Sequence, residues 1–275
     1  MSVMSIRHNT AHMNAHRNMG VAKAAHESSM HRLTTGHRVN GATDDAAGLS
    51  TSAVFQAQVR GLAAGTRSAD EARNILRIAE GGMGEVSDML QRMREIAVQA
   101  TSESITTREL ENLELEYVDL RDNIDRVGKN TKYNGELLMD GNYKSKSMNV
   151  GSDSGSTNRV SISIDRIDSL FIGVSFTHLE NEMFANAAIV QIDKAIDKVN
   201  SGRANMNAQM KQLEAASRHS QTMLANMSAS GSDVRDADVA AETSNMSRAQ
   251  IRMQASASML SQANIASNAA LRLMQ

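Results

Sequence analysis

The sequence has no cysteine, no proline and no tryptophan. Without cysteine there can be no disulfide, no thiolate metal site and no thiol nucleophile. Average usage of about 5% would put roughly 14 prolines in a chain this long. Proline breaks helix interiors, so its absence permits long uninterrupted helices. Aromatic residues make up only 3% of the chain, which argues against a compact globular core built on large anchors. No run of 18 to 20 apolar residues is present, so no transmembrane helix is expected. Neither charge sign dominates: 29 basic and 31 acidic residues leave a formal net charge of −2. A balance so close to zero points to neither a nucleic-acid binder nor a protein held on an anionic membrane. The first residues, Met1–Asn18, lack the apolar core of a secretory signal peptide. The expectation is a cytoplasmic protein, or one exported by a route that reads no cleaved signal.

What is present is methionine, 19 residues of it, and helical periodicity. Methionine fills irregular gaps between helices. From Phe55 a spacing of three and four holds through Leu62, Ala69, Leu76, Met83, Leu90 and Ala97 to Ala100. That 3.5-residue period makes a left-handed supercoil seam. A helix of this length would be about 70 Å long. Thr106 and Glu109 read as a capping box that starts a new helix with a seam at Leu110, Leu113, Tyr117, Leu120, Ile124 and Val127, which Gly128 can end. Another long seam runs from Ile189 through Ile196, Met206 and Leu213 to Met227. Two long helices of matching length, joined through a short connection, pack antiparallel most simply.

Residues 128–175 differ, holding six of the 17 glycines. Asn134-Gly135 and Asp140-Gly141 favour tight turns. Val160, Ile162 and Ile164 alternate with polar residues, as in a half-buried strand. The expected fold is therefore mainly α: a long antiparallel, coiled-coil-like bundle with a small β-hairpin region. Its parts are terminal helices at 1–40 and 236–275, a central bundle at 41–127 and 176–235, and a turn-rich segment at 128–175. Breaks are expected at Gly36–Gly41 and at Ser228–Ser232, with the first helix starting near Ser5. The terminal helices present Met13, Met19, Leu33, Met246, Met253, Leu260 and Leu271 as apolar contacts. Such weakly apolar arms are marginal alone and read as ends that order on assembly.

The segments Ile6–Asn9, Met13–Asn18, Leu33–Asn40, Ala42–Leu49, Leu90–Gln99, Ile124–Val127 and Tyr133–Gly135 resemble the N-terminal half of bacterial flagellin. Asp236–Glu242, Ser244–Ile251 and Met259–Asn264 resemble its C-terminal half. The likeness covers roughly 1–140 and 176–275, in the short form that lacks variable outer domains. It implies a structural filament subunit, exported unfolded through the flagellar type III channel and assembled into a helical tube for motility. It also implies an extracellular location, with a sheathed or periplasmic filament as variants. The implied partners are copies of itself, an export chaperone, the filament cap and junction proteins. Leu90, Arg92, Glu95, Ile96 and Glu116 resemble a segment that assembles against neighbours and is read by animal Toll-like receptor five. The plain structural alternative is that Asp88 and Arg92 form an ordinary i, i+4 pair.

Other features have simpler readings. His8, His12 and His16 lie at i, i+4 and i+8, a spacing that can chelate Zn²⁺ or Ni²⁺, but no third ligand is placed. A polar stripe facing a channel or neighbour is the preferred reading, so no metal, cofactor or catalytic residue is assigned. His26 and His37 stand where flagellins usually have apolar residues, so acidification is expected to weaken the arms by charging them. Asp44-Asp45 reads as turn or helix-start capping, and the serines and threonines of 152–163 as weak O-glycosylation candidates. The rival readings are a flagellin-like hook–filament junction protein and a His-rich metal-binding helical protein.

Overall fold

The long seam decides the architecture. In the structure, a computed structural model that describes the backbone of residues 9–272 and the side chains of 9–265, every seam position from Leu62 to Ala100 is buried. These residues lie on α2 (Ala42–Ala100). Seam residues of α5 (Glu182–Arg235), among them Ile192, Val199, Met206 and Leu213, are buried with them. The two helices run antiparallel, tied by Arg203 to Glu80 at 3.0 Å and Arg94 to Asp193 at 2.7 Å. Leucine, methionine and alanine at a 3.5-residue period hold the seam against its partner over many turns. The expected helical bundle is thus observed.

The helix α3 (Thr107–Asn130) opens with the expected capping box: Thr106 Oγ1 accepts from Glu109 N, and Glu109 Oε2 accepts from Thr106 N. The Thr106 backbone N–H and hydroxyl hold the Glu109 carboxyl below its ordinary range. Tyr117 and Ile124 are fully buried, and burial pushes the Tyr117 phenol up to about 12.

The middle segment forms two antiparallel hairpins. β1 (Lys132–Tyr133) pairs with β2 (Glu136–Leu137) across Asn134-Gly135, whose φ values of 48° and 85° suit a two-residue turn. β3 (Lys146–Asn149) pairs with β4 (Arg159–Ile162), and Val160 and Ile162 face inward as their alternation predicts. The backbone of Val150 lies so close to α2 that a Cβ on Gly65 would come within 2.7 Å of it. The chain then returns through α4 (Ser169–Ile172) along α3. One face of α3 stitches it down. Asp125 accepts from Ser169 N at 2.7 Å, Arg121 donates to Ser175 O at 3.3 Å, Tyr117 bonds Thr177 Oγ1 at 2.6 Å, and Glu114 accepts from Leu179 N at 2.7 Å. Polar residues spaced three and four apart thus satisfy a segment with no ladder of its own.

The terminal helices are α1 (Thr10–Thr35) and α6 (Val239–Arg272). Asn9 caps α1, and Gly36 closes it at φ 71° in the left-handed cap conformation. Ser5 lies outside the described residues. The chain divides into two compact units. One is formed by the chain ends up to Ala57 and from Met227, the other by 58–226.

Three local expectations are corrected. Ser228–Ser232 does not break the chain, because α5 continues to Arg235. The stop comes where Asp238 accepts from Ala240 N at 2.8 Å and Ala241 N at 3.1 Å and starts α6. Glycine in a helix costs only about 1 kcal/mol against alanine, so Gly231 alone cannot end one. Gly128 does not end α3, which runs two residues further. Its role is close approach, since a Cβ there would sit 2.2 Å from Ile167 O. The long N-terminal helix begins before Phe55: Asp45 leaves the helical region (φ −161°, ψ 100°) and accepts from Gly48 N, capping the helix from Ala46 onward. The capping read from Asp44-Asp45 is therefore observed.

Gly128→Ala should destabilise the bundle by about 1–3 kcal/mol through overpacking. Urea unfolding followed by far-UV circular dichroism measures it, and an unchanged midpoint would mean that the segment at Ile167 yields freely.

Candidate assembly interface

The arm pair is built on a second seam. α1 and α6 run antiparallel, joined at one end by Asn9 Nδ2 donating to Ala263 O at 3.2 Å. At the other end Arg32 Nη1 donates to Glu242 Oε1 at 3.2 Å. Ala15, Ala22 and Ser29, seven residues apart, are the buried positions of α1. Ala249 and Ser256, again seven apart, are buried on α6. Small residues at this interval let two backbones approach closely. The larger residues Met19, Leu33, Met246, Met253 and Leu260 flank them, half-buried. Met13 is different: 65% exposed, it lies off the seam. The side chain of Leu271 lies outside the described residues. The small-residue column on α1 was legible as a heptad repeat, but methionine and leucine draw attention away from it.

Val21, Met30, Ile251 and Met259 are exposed with Met13. The arms therefore bury a narrow stripe against each other and leave a second apolar set uncovered in the single chain.

Polar contacts lock the arms. Burial opposes the charge on Glu242, but Ser29 and the Arg32 guanidinium more than offset it and hold the carboxyl below its ordinary range. Beyond the helices, Arg38 N donates to Arg235 O at 2.7 Å and Ala237 N to Gly36 O at 2.9 Å. Arg38 Nη2 reaches Val234 O at 2.9 Å, and His37 Nδ1 lies 3.1 Å from Asp236 Oδ1. The Ser232 hydroxyl donates to Asp236 Oδ2 and, with burial opposing it and His37 adding to it, holds that carboxyl low. Two sequence signatures far apart in the chain, Leu33–Asn40 and Asp236–Glu242, thus meet in one clamp. His37, expected from the sequence to weaken the arms on acidification, faces the Asp236 carboxylate in this clamp. His26 remains half-buried beside the seam.

On the bundle, Arg92 Nε donates to Glu116 Oε1 at 2.8 Å and Nη1 to Glu95 Oε2 at 3.0 Å. Glu116 and then Glu95 hold the guanidinium more firmly charged. Arg92 thus takes partners across the α2–α3 contact and one turn along its own helix, in place of Asp88. Leu90 and Ile96, grouped with these residues from the sequence, point the other way. They are 0% and 1% exposed and belong to the core. Only Arg92, Glu95 and Glu116 present a surface.

His12 and His16 stack with ring centroids 6.4 Å apart, while His8 lies outside the described residues. Among the described residues no group of three or more His, Asp or Glu could hold a metal ion. No described helix is long and apolar enough to cross a membrane.

Residues 6–144 match the bacterial flagellin N-terminal helical region, and 189–274 the bacterial flagellin C-terminal helical region. A flagellin of Halalkalibacterium halodurans is 34% identical over 272 residues, covering 99% of this chain and 100% of that protein. The chain belongs to the flagellin family. The flagellar filament 31.3 kDa core protein of Treponema maltophilum is 29% identical over 288 residues, spanning 99% of this chain and all of its own length. The crystal structure of Bacillus cereus flagellin matches with a TM-score of 0.50 at 26% identity, over 56% of this chain and 88% of that one. The protein is a structural subunit of a flagellar filament, in the short form without a variable outer domain.

The Glu242 carboxyl has a lower pKa in the folded pair than in the unfolded chain, so its stabilisation is complete above the ordinary carboxylate value of about 4.3. It is lost as pH falls through the lower folded value. Arm helicity in the monomer should fall in that acid window, and Glu242→Gln should flatten the fall. Circular dichroism from pH 7 to pH 2 reads it; identical profiles for both chains would remove Glu242 from the account.

Proposed function

We propose that the paired arms are the part of this flagellin that is completed by neighbouring copies. Residues 1–40 and 236–275 line the inner tube of the filament, 41–127 and 176–235 form the surrounding shell, and 128–175 supplies the hairpins. The observation that carries this reading is the outward set Met13, Val21, Met30, Ile251 and Met259, exposed in the single chain. Burying such side chains among several copies releases about 25 cal/mol per Å² of apolar surface, and repetition along a filament multiplies that gain. Met19, Leu33, Met246, Met253 and Leu260 act indirectly, by holding the arm pair in register. Leu271 belongs to the same arm.

The exposed Arg92, Glu95 and Glu116 form an intersubunit contact, and recognition by animal Toll-like receptor five reads the same groups. Leu90 and Ile96 support them from below. The chain leaves the cell unfolded through the flagellar export channel and works outside it, with an export chaperone, the filament cap and junction proteins as partners.

The test is seeded elongation of purified full chain, followed by light scattering and electron microscopy. Wild type should add to seeds, while Met13→Asp with Met259→Asp should lose elongation at least tenfold without a change in bundle melting. Arg92→Ala should slow elongation and leave the melting temperature unchanged, because exposed ion pairs contribute little to stability. Normal growth of the Met13/Met259 variant would overturn the role given to the arms.

A further inference from the structure

Sulfur is spread unevenly over this molecule. Met83, Met93, Met139 and Met206 sit in the core of the bundle, none more than 1% exposed. Among the described residues four methionines are exposed, and three of them lie on the arms: Met13 at 65%, Met30 at 56% and Met259 at 67%. The fourth, Met183 at 73%, lies at the start of α5. With neither cysteine nor tryptophan in the chain, its thioethers are the groups most open to oxidation.

Met259 has polar company. It lines an open groove of about 440 Å³ with Asn14 and Asn18 of α1 and Gln262 of α6. Asn14 Oδ1 accepts from Arg17 Nη2 at 3.2 Å, so the nitrogen of that amide is the end left to donate. An oxygen added to the Met259 sulfur would have amide donors beside it as well as water. The buried positions that join the arms, Ala15, Ala22, Ser29, Ala249 and Ser256, contain no sulfur. Oxidation of the exposed methionines therefore leaves the contact between α1 and α6 intact.

We infer that Met13, Met30 and Met259 are oxidation sites through which a peroxide controls the addition of this subunit. The thioether sulfur attacks one peroxide oxygen, so that an S–O bond forms and the O–O bond breaks. The sulfur gives up two electrons, the departing hydroxide takes the proton of the transferred hydroxyl, and water is released. The product is a polar, chiral sulfoxide where an apolar side chain stood. In the single chain, water satisfies it, with the groove amides beside Met259. A neighbour that covers it with apolar side chains strips that water away, and a polar group buried without a partner opposes docking. The oxidised chain stays folded and stops adding. Sulfoxide reductases return the thioether, which makes the control reversible. This inference rests on the reading of the arms as the part completed by neighbouring copies, and it adds a chemical control on that surface.

The test exposes purified full chain to hydrogen peroxide, removes the oxidant, and follows addition to untreated seeds by light scattering. Peptide mass spectrometry sets the dose, with Met13, Met30 and Met259 oxidised and Met83, Met93 and Met206 intact. The treated chain should elongate at least tenfold more slowly, with bundle melting unchanged. Reductases for both sulfoxide epimers should restore the rate. A chain carrying Met13→Leu, Met30→Leu and Met259→Leu, swaps that nearly conserve volume, should keep its own untreated rate after the same dose. Met183→Leu alone should stay as sensitive as wild type. Undiminished elongation of a chain oxidised at all three positions would overturn the oxidation control while the filament reading stands. So would failure of the reductases to restore it, an equal loss in the triple-leucine chain, or a resistant Met183→Leu chain. Untreated wild type that never adds to seeds would overturn both.

Discussion

The structure depends on one constraint: an unbroken helix with a narrow apolar stripe must find a partner stripe of equal length. In α2 and α5 the stripe repeats every three and four residues over many turns; it is buried from Leu62 to Ala100 on α2, while on α5 buried positions such as Ile192, Val199 and Met206 alternate with half-buried ones such as Ile189, Ile196 and Met210. The core is a long ribbon of leucine, isoleucine, methionine and alanine, one or two side chains wide. With so few aromatics, no single residue anchors it. Stability is spread along the seam, and small residues at Gly65 and Gly128 let strands and turns come within contact distance of the helices.

The arms apply the same rule with less material. Apart from Glu242, the buried positions among their described residues are Ala15, Ala22, Ser29, Ala249 and Ser256, side chains that cover little area. The polar ends of the seam compensate in part, through Arg32 with Glu242 and the clamp around Asp236. A subunit that leaves apolar side chains outside such a pair is poised to gain more from neighbours than from itself. That balance suits a protein whose working form is a polymer.

The sequence-derived surface residues divide according to geometry. Arg92 pairs with Glu116 on α3, a partner 24 positions away, because the two helices lie side by side. The spacing rule that favours Asp88 sees one helix only. Leu90 and Ile96 share the stretch with Arg92 but fall on the inward face, as their place in the three-and-four spacing already implied. Ser228–Ser232 shows a similar limit. A glycine among serines looks like a break, yet an aspartate seven residues on supplies the stronger stop.

Periodicity, the absence of proline, the Thr106 capping box and the Asn134-Gly135 turn were sufficient to specify long antiparallel helices and a small hairpin region. These features act locally, through backbone propensity and repeating burial, so the residues themselves express them. The meeting of Leu33–Asn40 with Asp236–Glu242, the stitching of the return segment along α3, and the pairing of Arg92 with Glu116 were decided only by the folded chain. Each depends on which residues distant in sequence become neighbours in space, and hydrogen bonds and charge act on distance in space alone.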